Sequence, residues 1–287
     1  AWQNEIFVVA AAGNAGPNAM TIGVPGNVPY VMTVGAMTDN FTPSDTSDDK
    51  LATFSSAGPT YEGFVKPDVV APGGHMKGLV QGNSTLATTY PEYYAGALYF
   101  EMSGTSQSAA VVSGIAALAL EAEAWRSVDE LKCKIISAAK PAVSGSGSQA
   151  SLTYSVFQQG AGLVDAYAAV LNQNVDCANN GLHIDNDIDG FQHFGGRANQ
   201  DADGTYYLMG DLVTGFFGYV WRNGYLWWDG TGWTFGFLWT DGYLWTIGYL
   251  WSDGTFGTNG YIWTAGVTLQ GYLWTDGGLS TNGYLWT

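Results

Sequence analysis

Glycine recurs every sixth residue near the end of the chain, and this period constrains the fold more than any other feature. It stands at 218, 224, 230, 236, 242, 248, 254, 260 and 266, and then, after one five-residue unit, at 271, 277 and 283. The twelve units share the consensus Gly-Tyr-Leu-Trp-Thr-Asp, and Trp fills the fourth place in nine of them. Each unit has room for a strand of about four residues, roughly 13 Å long, and a two-residue turn. The sequence therefore predicts an all-β repeat region over 218–287.

Two arrangements of these strands are compatible with the unit. Asn-Gly or Asp-Gly stands at seven of the eleven junctions between units, and these pairs favour type I′ hairpins. We therefore expect a β-meander of short hairpins, with two apolar faces that need a partner surface. The alternative is a β-solenoid with three units per turn. The region would serve as a structural appendage, as a surface for self-association into filaments, or as a carbohydrate-binding surface of stacked aromatic rings.

Residues 1–175 have a different pattern, in which short apolar runs alternate with helical periodicity. Runs at 6–12, 30–34 and 68–70 are bounded by Gly and Pro, as buried parallel strands are. One predicted helix extends from Ser106 to about residue 124. A second occupies 127–139, with Ser127 as N-cap and Glu130 three residues later, as a capping box requires. This pattern predicts an α/β domain.

Residues 176–217 form a predicted connector that is rich in Asp, Asn and Gly. Two of its segments place oxygen ligands at alternate positions before a Gly, as the beginning of a calcium-binding loop does. The candidate ligands are Asp185, Asp187, Asp189, Asn199, Asp201 and Asp203. Gly196 and Gly210 stand where the twelfth-position Glu would be, so Asx-turn loops without a metal are an equal alternative.

The overall composition limits the partners and the compartment. The net charge of −16 repels phosphate backbones, so nucleic acid is not an expected partner. No apolar run approaches the length of a membrane span. Few Lys and Arg residues with abundant Gly, Ser, Thr and Asn fit an extracellular or cell-surface protein. The chain begins at Ala1 without a Met or a leader, which suggests processing or truncation.

The two cysteines leave one covalent question open. Cys133 and Cys177 match no zinc or thioredoxin spacing. A disulfide between them and a pair of buried thiols are both compatible with the sequence.

The chemistry is concentrated at Met102-Ser103-Gly104-Thr105-Ser106-Gln107-Ser108-Ala109-Ala110. A hydroxyl nucleophile is favoured at the start of a helix, where free N–H groups and the helix dipole stabilise negative charge. By itself, Gly-Thr-Ser before a buried helix is also an ordinary N-cap.

Six blocks of residues 6–170 resemble, in order, the C-terminal half of the catalytic domain of subtilisin-like serine proteases, the subtilases of peptidase family S8. They are Val8-Val9-Ala10-Ala11-Ala12-Gly13-Asn14-Ala15-Gly16-Pro17, Pro25-Gly26-Asn27 with Val34-Gly35-Ala36, Phe54-Ser55-Ser56-Ala57-Gly58-Pro59, Lys66-Pro67-Asp68-Val69-Val70-Ala71-Pro72-Gly73, the 102–110 segment, and Gly160-Ala161-Gly162-Leu163-Val164-Asp165-Ala166. The resemblance implies a partial doubly wound parallel sheet.

The resemblance also implies roles for individual residues. Ser106 corresponds to the nucleophile, and Asn14 to the side-chain donor that, with the Ser106 N–H, binds the oxyanion. The substrate-binding residues implied are Ala10, Ala11, Ala12, Gly13, Gly104 and Thr105. No cofactor is required, and calcium is a possible ligand.

Two departures from the family pattern matter. Ala110 and Val111 replace the Pro and His that commonly follow the nucleophile in its helix. The family's triad order is Asp, His, Ser, so the Asp and the His would precede Ala1. None of His75, His183 and His193 occupies the family's His position, and without a base Ser106 is a weak nucleophile.

The resemblance therefore predicts a secreted serine endopeptidase that acts on peptide substrates. It needs an upstream half of the same domain, because a sheet beginning near Ile6 would expose an apolar edge. The alternative is a structural or filament-forming extracellular protein with an inactive subtilisin-like domain.

Overall fold

The computed structural model describes residues 1–96, 98–123, 126–144, 151–172, 178–179, 182–191, 194–196, 198–200 and 204–208, and beyond 215 the backbone of the repeat strands. These residues form two compact units. The first comprises 1–60 and 65–181, and the second comprises 61–64 and 182–287. The predicted boundaries at 175 and 217 remain predictions.

The first unit contains nine described strands and five described α-helices. The strands are β1 (Val9–Ala11), β2 (Met32–Thr38), β3 (Lys50–Leu51), β4 (Val69–Pro72), β5 (Met76–Leu79), β6 (Tyr94–Ala95), β7 (Tyr99–Met102), β8 (Val143–Ser144) and β9 (Ser151–Leu152). The helices are α1 (Thr85–Thr89), α2 (Thr105–Ala122), α3 (Val128–Ala138), α4 (Val156–Gln159) and α5 (Ala166–Leu171).

A parallel sheet organises this unit. β2 pairs in parallel with β1 on one side and with β4 on the other, and β3 adds an antiparallel pairing at the end of β2. All seven residues of β2 but Thr38 are buried, which is typical of a strand covered on both faces. Separately, β5, β7 and β6 form a small antiparallel sheet, and β8 pairs with β9.

The core lies where the helices cover the parallel sheet. Buried residues of α2 recur at helical spacing, at Val112, Ile115, Ala116 and Ala119, and so form one continuous stripe. This stripe packs in one apolar cluster with residues of β2, β4, α3 and α5, namely Met32, Val34, Val69, Ala71, Leu131, Ile135 and Ala169. The core therefore fixes the position of α2 against the sheet.

The sequence predicted both long helices to within a residue or two. α3 begins after Ser127, whose hydroxyl accepts a hydrogen bond from the Glu130 N–H at 3.2 Å. The Glu130 carboxylate accepts one in return from the Ser127 N–H at 2.9 Å. The capping box is therefore confirmed. No helix among the described residues is both long and apolar enough to cross a bilayer.

The second unit contains a short helix, a hairpin and the repeat strands. These are α6 (Ile184–Ile188), β10 (Ala198–Gln200) and β11 (Tyr206–Leu208), then β12 (Phe216–Phe217), β13 (Val220–Arg222), β14 (Tyr225–Trp228), β15 (Thr231–Phe235), β16 (Leu238–Thr240), β17 (Tyr243–Thr246), β18 (Tyr249–Ser252), β19 (Thr255–Thr258), β20 (Tyr261–Thr264), β21 (Tyr272–Thr275), β22 (Gly278–Thr281) and β23 (Leu285–Trp286).

The repeat strands do not pair as a meander would. A meander joins each strand to the next one in antiparallel fashion, whereas here every third strand pairs in parallel, giving three sheets of four strands. Tyr243 lies opposite Tyr261, and Trp245 lies opposite Trp263. The meander prediction is therefore corrected, and the pairing is that of the alternative with three units per turn. Asn-Gly and Asp-Gly favour tight turns of several kinds, so they do not distinguish a hairpin from a corner.

Candidate active site

The candidate nucleophile lies at the beginning of the long core helix. Ser106 is exposed and is the second residue of α2, after Gly104 at the N-cap and Thr105 at the first position. Its backbone N–H is one of the first-turn donors that an α-helix leaves without an intrahelical acceptor. The helix dipole adds positive potential at this end. The hydroxyl and a backbone donor are thus presented together on a rigid element.

Thr105 positions the candidate oxyanion donor. Asn14 Oδ1 accepts hydrogen bonds from the Thr105 N–H and from the Thr105 hydroxyl, each at 3.0 Å. The same hydroxyl oxygen accepts one from the Gly13 N–H at 3.1 Å. Since the Asn14 oxygen is engaged by these donors, its Nδ2 remains to donate into the cavity that Asn14 and Ser106 both line.

The side chain of Thr105 is completely buried. The predicted substrate-binding role of Thr105 remains a prediction, and in this structure its side chain contacts Asn14 and Gly13. Two hydrogen bonds across 91 residues of sequence are not visible in a local motif, so sequence reasoning missed them.

The turn that carries Asn14 is itself held tightly. Gly13 has a φ of +108°, and a Cβ built on it would lie 2.9 Å from Ser56 Oγ. Ser56 Oγ accepts a hydrogen bond from the Ala15 N–H at 3.1 Å, and the Ser56 N–H donates to the Gly13 carbonyl at 3.0 Å. Glycine at 13 is therefore required by both its conformation and its neighbour.

The other predicted substrate-binding residues fall at different depths. Ala10 and Ala12 are buried, while Ala11 and Gly13 are partly exposed. Gly104 lines the cavity at Ser106. The prediction that residues 10–13 form one wall of the P1 pocket remains a prediction. In this segment, the backbone and the side chain of Ala11 are accessible to a substrate.

A cavity of about 630 Å³ opens beside Ser106. Asn14 follows β1 and His75 follows β4, so the cavity lies beyond the carboxyl ends of the parallel strands, where open α/β sheets bind ligands. It is lined by Asn14, His75, Leu86, Tyr90, Tyr93, Phe100, Glu101, Met102, Ser103, Gly104, Ser106 and Gln107.

His75 shares this cavity with Ser106 but is held by other groups. Its Nδ1 lies 3.5 Å from Glu101 Oε1, and its ring centroid lies 3.5 Å from that of Phe41. Its backbone N–H donates to Ser103 Oγ at 2.9 Å. Within the described part of the chain, no hydrogen bond joins His75 to Ser106. His183 belongs to the second unit, near Phe194, and His193 lies outside the described residues.

A buried ionic cluster supports the opposite end of the sheet. The Asp68 carboxylate lies 2.8 Å from Lys66 Nζ and 3.1 Å from Lys132 Nζ, and it accepts a hydrogen bond from the Thr33 N–H at 2.6 Å. Lys66 donates to the Val31 carbonyl at 2.9 Å, and Lys132 donates to the same carbonyl at 3.0 Å. The cluster thus joins α3 to the beginnings of β2 and β4.

Burial and charge shift the pKa values in this cluster. Burial lowers the pKa of Lys66 to about 7, although the Asp68 carboxylate opposes the shift. Burial raises the pKa of Asp68, but the charges of Lys132 and Lys66 and the hydrogen bonds outweigh it, so this pKa is lowered. Two lysines and one carboxylate leave the cluster an excess of positive charge when all three are ionised.

The structure does not form the first predicted calcium loop. Residues 184–188 are helical instead, so Asp187 lies on a different face from Asp185 and Asp189, which are four positions apart; calcium binding by these residues remains a prediction. Asn199 is buried in β10, and Asp201 and Asp203 lie outside the described residues. Among those that are described, no group of three or more His, Cys, Asp or Glu could hold a metal. Cys177 also lies outside them, so the disulfide remains a prediction.

The fold and the site define an α/β protein with an exposed serine at a helix N-terminus and a fixed amide donor beside it. The model of the subtilase family, Peptidase S8, matches residues 1–174. The chain therefore belongs to the subtilase family, as the six sequence blocks predicted.

Two relatives from Bacillus subtilis (strain 168) illustrate the similarity. Serine protease AprX is 45% identical over 132 residues, which cover 46% of this chain and 30% of AprX. Bacillopeptidase F is 33% identical over 183 residues, which cover 59% of this chain and 10% of that protein. The chain thus spans less than a third of either relative.

Solved structures are similar over about three fifths of the chain. The prenylagaramide maturation protease PagA covers 60% of this chain, with 24% identity and a TM-score of 0.43, and 52% of PagA is matched. Fervidolysin from Fervidobacterium pennivorans covers 61% with 20% identity and a TM-score of 0.44, and 24% of fervidolysin is matched.

Proposed function

We propose that this chain supplies the nucleophile and the oxyanion hole of a secreted serine endopeptidase. The observation that carries the proposal is the exposed Ser106 at the start of α2, beside an Asn14 amide whose oxygen is held by Thr105. Membership of the subtilase family supports the same assignment.

The chemistry follows from these positions. Ser106 Oγ attacks the carbonyl carbon of the scissile peptide bond while a base accepts its proton. The Asn14 Nδ2 and the Ser106 N–H then donate to the negatively charged oxygen of the tetrahedral intermediate. The C–N bond breaks, the base returns the proton to the leaving amine, and an ester remains on Ser106. Water adds to the ester in the same way, which releases the acid and restores the hydroxyl.

The base and the Asp that orients it are assigned to an upstream half of the same domain. The family's triad order supports this assignment. So does the edge position of β1, which pairs on one side only among the described residues. One face of α2 is exposed and carries mainly small side chains that permit close packing, at Ala110, Ser113, Gly114, Ala117 and Leu118.

A fluorophosphonate probe tests the assignment of Ser106. In the native protein, the probe is expected to label Ser106, because only an activated serine reacts at an appreciable rate. The Ser106→Ala variant is the control and must lose the label, whereas Ser103→Ala must retain it. Folded native protein that takes up no label would refute the protease and leave the structural alternative.

For the repeat region, we propose a three-sided β-solenoid that anchors the protease or associates with copies of itself. The parallel pairing of every third strand supports this arrangement. The terminal coils of such a stack present unpaired strand edges, which favour end-to-end association. Electron microscopy and sedimentation would show filaments or oligomers. A monodisperse monomer at all concentrations would contradict self-association and leave anchoring, with carbohydrate as the partner to test.

A second candidate function rests on the same strands. If Ser106 is unreactive, the in-register stack of identical or similar residues favours a structural or filament-forming extracellular protein. Calcium, proposed as an optional ligand of 199–203, would be detected by calorimetric titration of the native protein.

A further inference from the structure

One face of β7 borders the cavity beside Ser106. Phe100 and Met102 are two positions apart in this strand, so their side chains extend from the same face of the sheet, whereas that of Glu101 extends from the other face. Phe100 is 3% exposed. Met102 Sδ accepts a hydrogen bond from Gln107 Nε2 at 4.0 Å, which places the Met102 side chain against the residue that follows Ser106. Phe100 and Met102 both line the cavity.

Three residues that precede β7 add to this apolar surface. Tyr93 packs on Phe100, with the two ring centroids 6.2 Å apart. Leu86 and Tyr90 are one helical turn apart at α1, where the Tyr90 N–H donates to the Leu86 carbonyl at 2.9 Å, so they lie on the same face. Leu86, Tyr90 and Tyr93 are each about half exposed and line the cavity. We call Leu86, Tyr90, Tyr93, Phe100 and Met102 the aromatic wall, and none of the five carries a charge.

The aromatic wall is separate from the predicted wall of the P1 pocket. Among the described residues, Asn14 and Ser106 line the cavity but residues 10–13 do not. The cavity therefore begins at the proposed oxyanion hole and extends away from the segment predicted to contact the side chain before the scissile bond. A bound peptide is extended, and its successive residues are about 3.3 Å apart. The residues after the bond are then the ones that pass over the cavity.

We propose that the aromatic wall binds an apolar side chain, aromatic or the size of leucine, at one of the first two substrate residues after the scissile bond. The inference rests on the proposed function for the position of that bond. Aromatic rings and a thioether pack favourably against another apolar side chain, and removing that side chain from water supplies the affinity. A charged side chain would lose water without gaining a charged partner on the aromatic wall.

Peptide cleavage by the native protein tests this selectivity. The substrates are capped octapeptides of one sequence, with Phe, Leu, Ala, Lys or Glu at each position in turn, and mass spectrometry locates the scissile bond. At one of the two positions after the bond, Phe is expected to give a kcat/KM about tenfold higher than Ala, the scale for an aromatic side chain partly removed from water. Equal kcat/KM for Phe, Ala and Glu at both positions would overturn the inference.

Binding to the Ser106→Ala variant separates this inference from the proposed protease, because binding requires no catalysis. In calorimetric titration with the same peptides, the preference for Phe over Ala should again be about tenfold. Fluorophosphonate labelling of the unsubstituted protein reports on the serine alone. Labelling without a Phe preference would refute the selectivity of the aromatic wall, whereas a Phe preference in binding without labelling would refute the protease and leave a site for apolar peptides.

A matched pair of tyrosines identifies the surface responsible. Tyr93→Ser should reduce the Phe preference severalfold. Tyr99→Ser is the control, because Tyr99 precedes Phe100 and so extends from the other face of β7, although its exposure of 47% is close to the 51% of Tyr93. The control should leave the preference unchanged. Equal losses in the two variants would contradict the aromatic wall as the binding surface.

A charge placed on the aromatic wall should change the selectivity. Leu86 is 43% exposed, so Leu86→Glu leaves the core intact. This variant is expected to lose the Phe preference and to bind the Lys peptide severalfold more tightly than the unsubstituted surface does, at the same position. A gain of affinity does not arise from misfolding, so this result supports the inference even if Tyr93→Ser fails to fold. Unaltered affinities for the Phe and Lys peptides would overturn it.

Discussion

Thr105 shows how a single buried residue determines the geometry of the site. Its N–H and its hydroxyl both donate to Asn14 Oδ1, and its oxygen accepts from the Gly13 N–H. Among the described residues, these bonds engage the Asn14 oxygen and leave its Nδ2 available to donate at the cavity that Asn14 and Ser106 line. In the proposed protease, a donor aimed at the developing charge needs no reorganisation during the reaction, so we expect the fixed orientation of Nδ2 to contribute to the rate.

Two replacements of Asn14 distinguish its hydrogen bonds with Thr105 from the hydrogen bond that its Nδ2 donates. Asn14→Asp keeps an oxygen acceptor for Thr105 but lacks the Nδ2 donor, and Asn14→Ala lacks both. Removing the side-chain donor of a subtilisin oxyanion hole lowers kcat by about 10²–10³, and we expect at least this loss for both variants with KM little changed. Steady-state kinetics of the native protein checks this, and an Asn14→Asp enzyme near full activity would contradict the role of Nδ2.

Replacement of Thr105 tests the positioning role. Thr105→Val keeps the shape but removes the hydroxyl, and loss of about 1 kcal/mol of orienting hydrogen bond predicts roughly a fivefold to tenfold lower kcat. Thr105→Ser keeps the hydroxyl and should restore most of the rate. If Thr105→Val and Thr105→Ser lower kcat by the same factor while both stay folded, the hydroxyl does not orient Asn14.

At the scale of elements, α2 and α3 are positioned by different means. α2 is fixed by its buried stripe against β2 and β4, and this packing carries Ser106 to the carboxyl end of the sheet. α3 is fixed at its start by the capping box of Ser127 and Glu130 and along its length by Lys132, which enters the Asp68 cluster. The site therefore depends on α2, whereas α3 contributes stability.

Loss of the N-cap of α3 should lower stability without affecting the site. Ser127→Ala is expected to reduce the free energy of unfolding by about 1 kcal/mol, and Ser127→Thr should retain most of it. The exposed Ser44→Ala, outside the helices, is the control and should change little. Urea unfolding measures the difference, and a Ser127→Ala protein as stable as wild type would show that the capping box contributes nothing.

At the scale of the whole molecule, the two units are organised by different interactions. The first is organised by a buried parallel sheet and a buried ionic cluster, and the second by the stacking of repeat strands. The Lys66, Asp68 and Lys132 cluster links the stability of the first unit to pH. Because folding lowers the pKa of Lys66, its amine is protonated in a larger fraction of unfolded chains than of folded ones.

The stability of the first unit should therefore rise with pH above neutrality. The pKa of Lys66 is about 7 when folded and 10.5 as the ordinary value, so between these limits the unfolded state holds the extra proton. The free energy of unfolding should increase by up to about 1.4 kcal/mol per pH unit across this window. Below the window Lys66 is protonated in both states, so it adds no pH dependence. Urea unfolding of the wild type and of Lys66→Met at pH 7 and 9.5 isolates the effect. If the free energy of unfolding changed equally in both proteins between these pH values, the prediction would be contradicted.

Spin-label distances test the pairing of the repeat strands. Cysteine labels at Tyr243 and Tyr261 should lie within about 5 Å between backbones if units three apart stack. Labels at Tyr243 and Ser252 would be neighbours only in a meander hairpin. With Cys133 and Cys177 replaced, strong dipolar coupling is expected for the first pair alone, and the reverse result would restore the meander.

The sequence by itself determined what local chemistry decides. The apolar spacing of α2, the Ser127 and Glu130 cap, the buried strands and the position of Ser106 at a helix start all depend on residues a few places apart, and the family blocks added Asn14. Only the tertiary structure decided which distant groups meet. Thr105 holds Asn14 across 91 residues, Glu101 faces His75, Lys132 reaches Asp68, residues 184–188 become helical, and repeat strands pair with the third neighbour. Except for the local helix at 184–188, each of these depends on contacts between segments far apart in sequence, which no local pattern specifies.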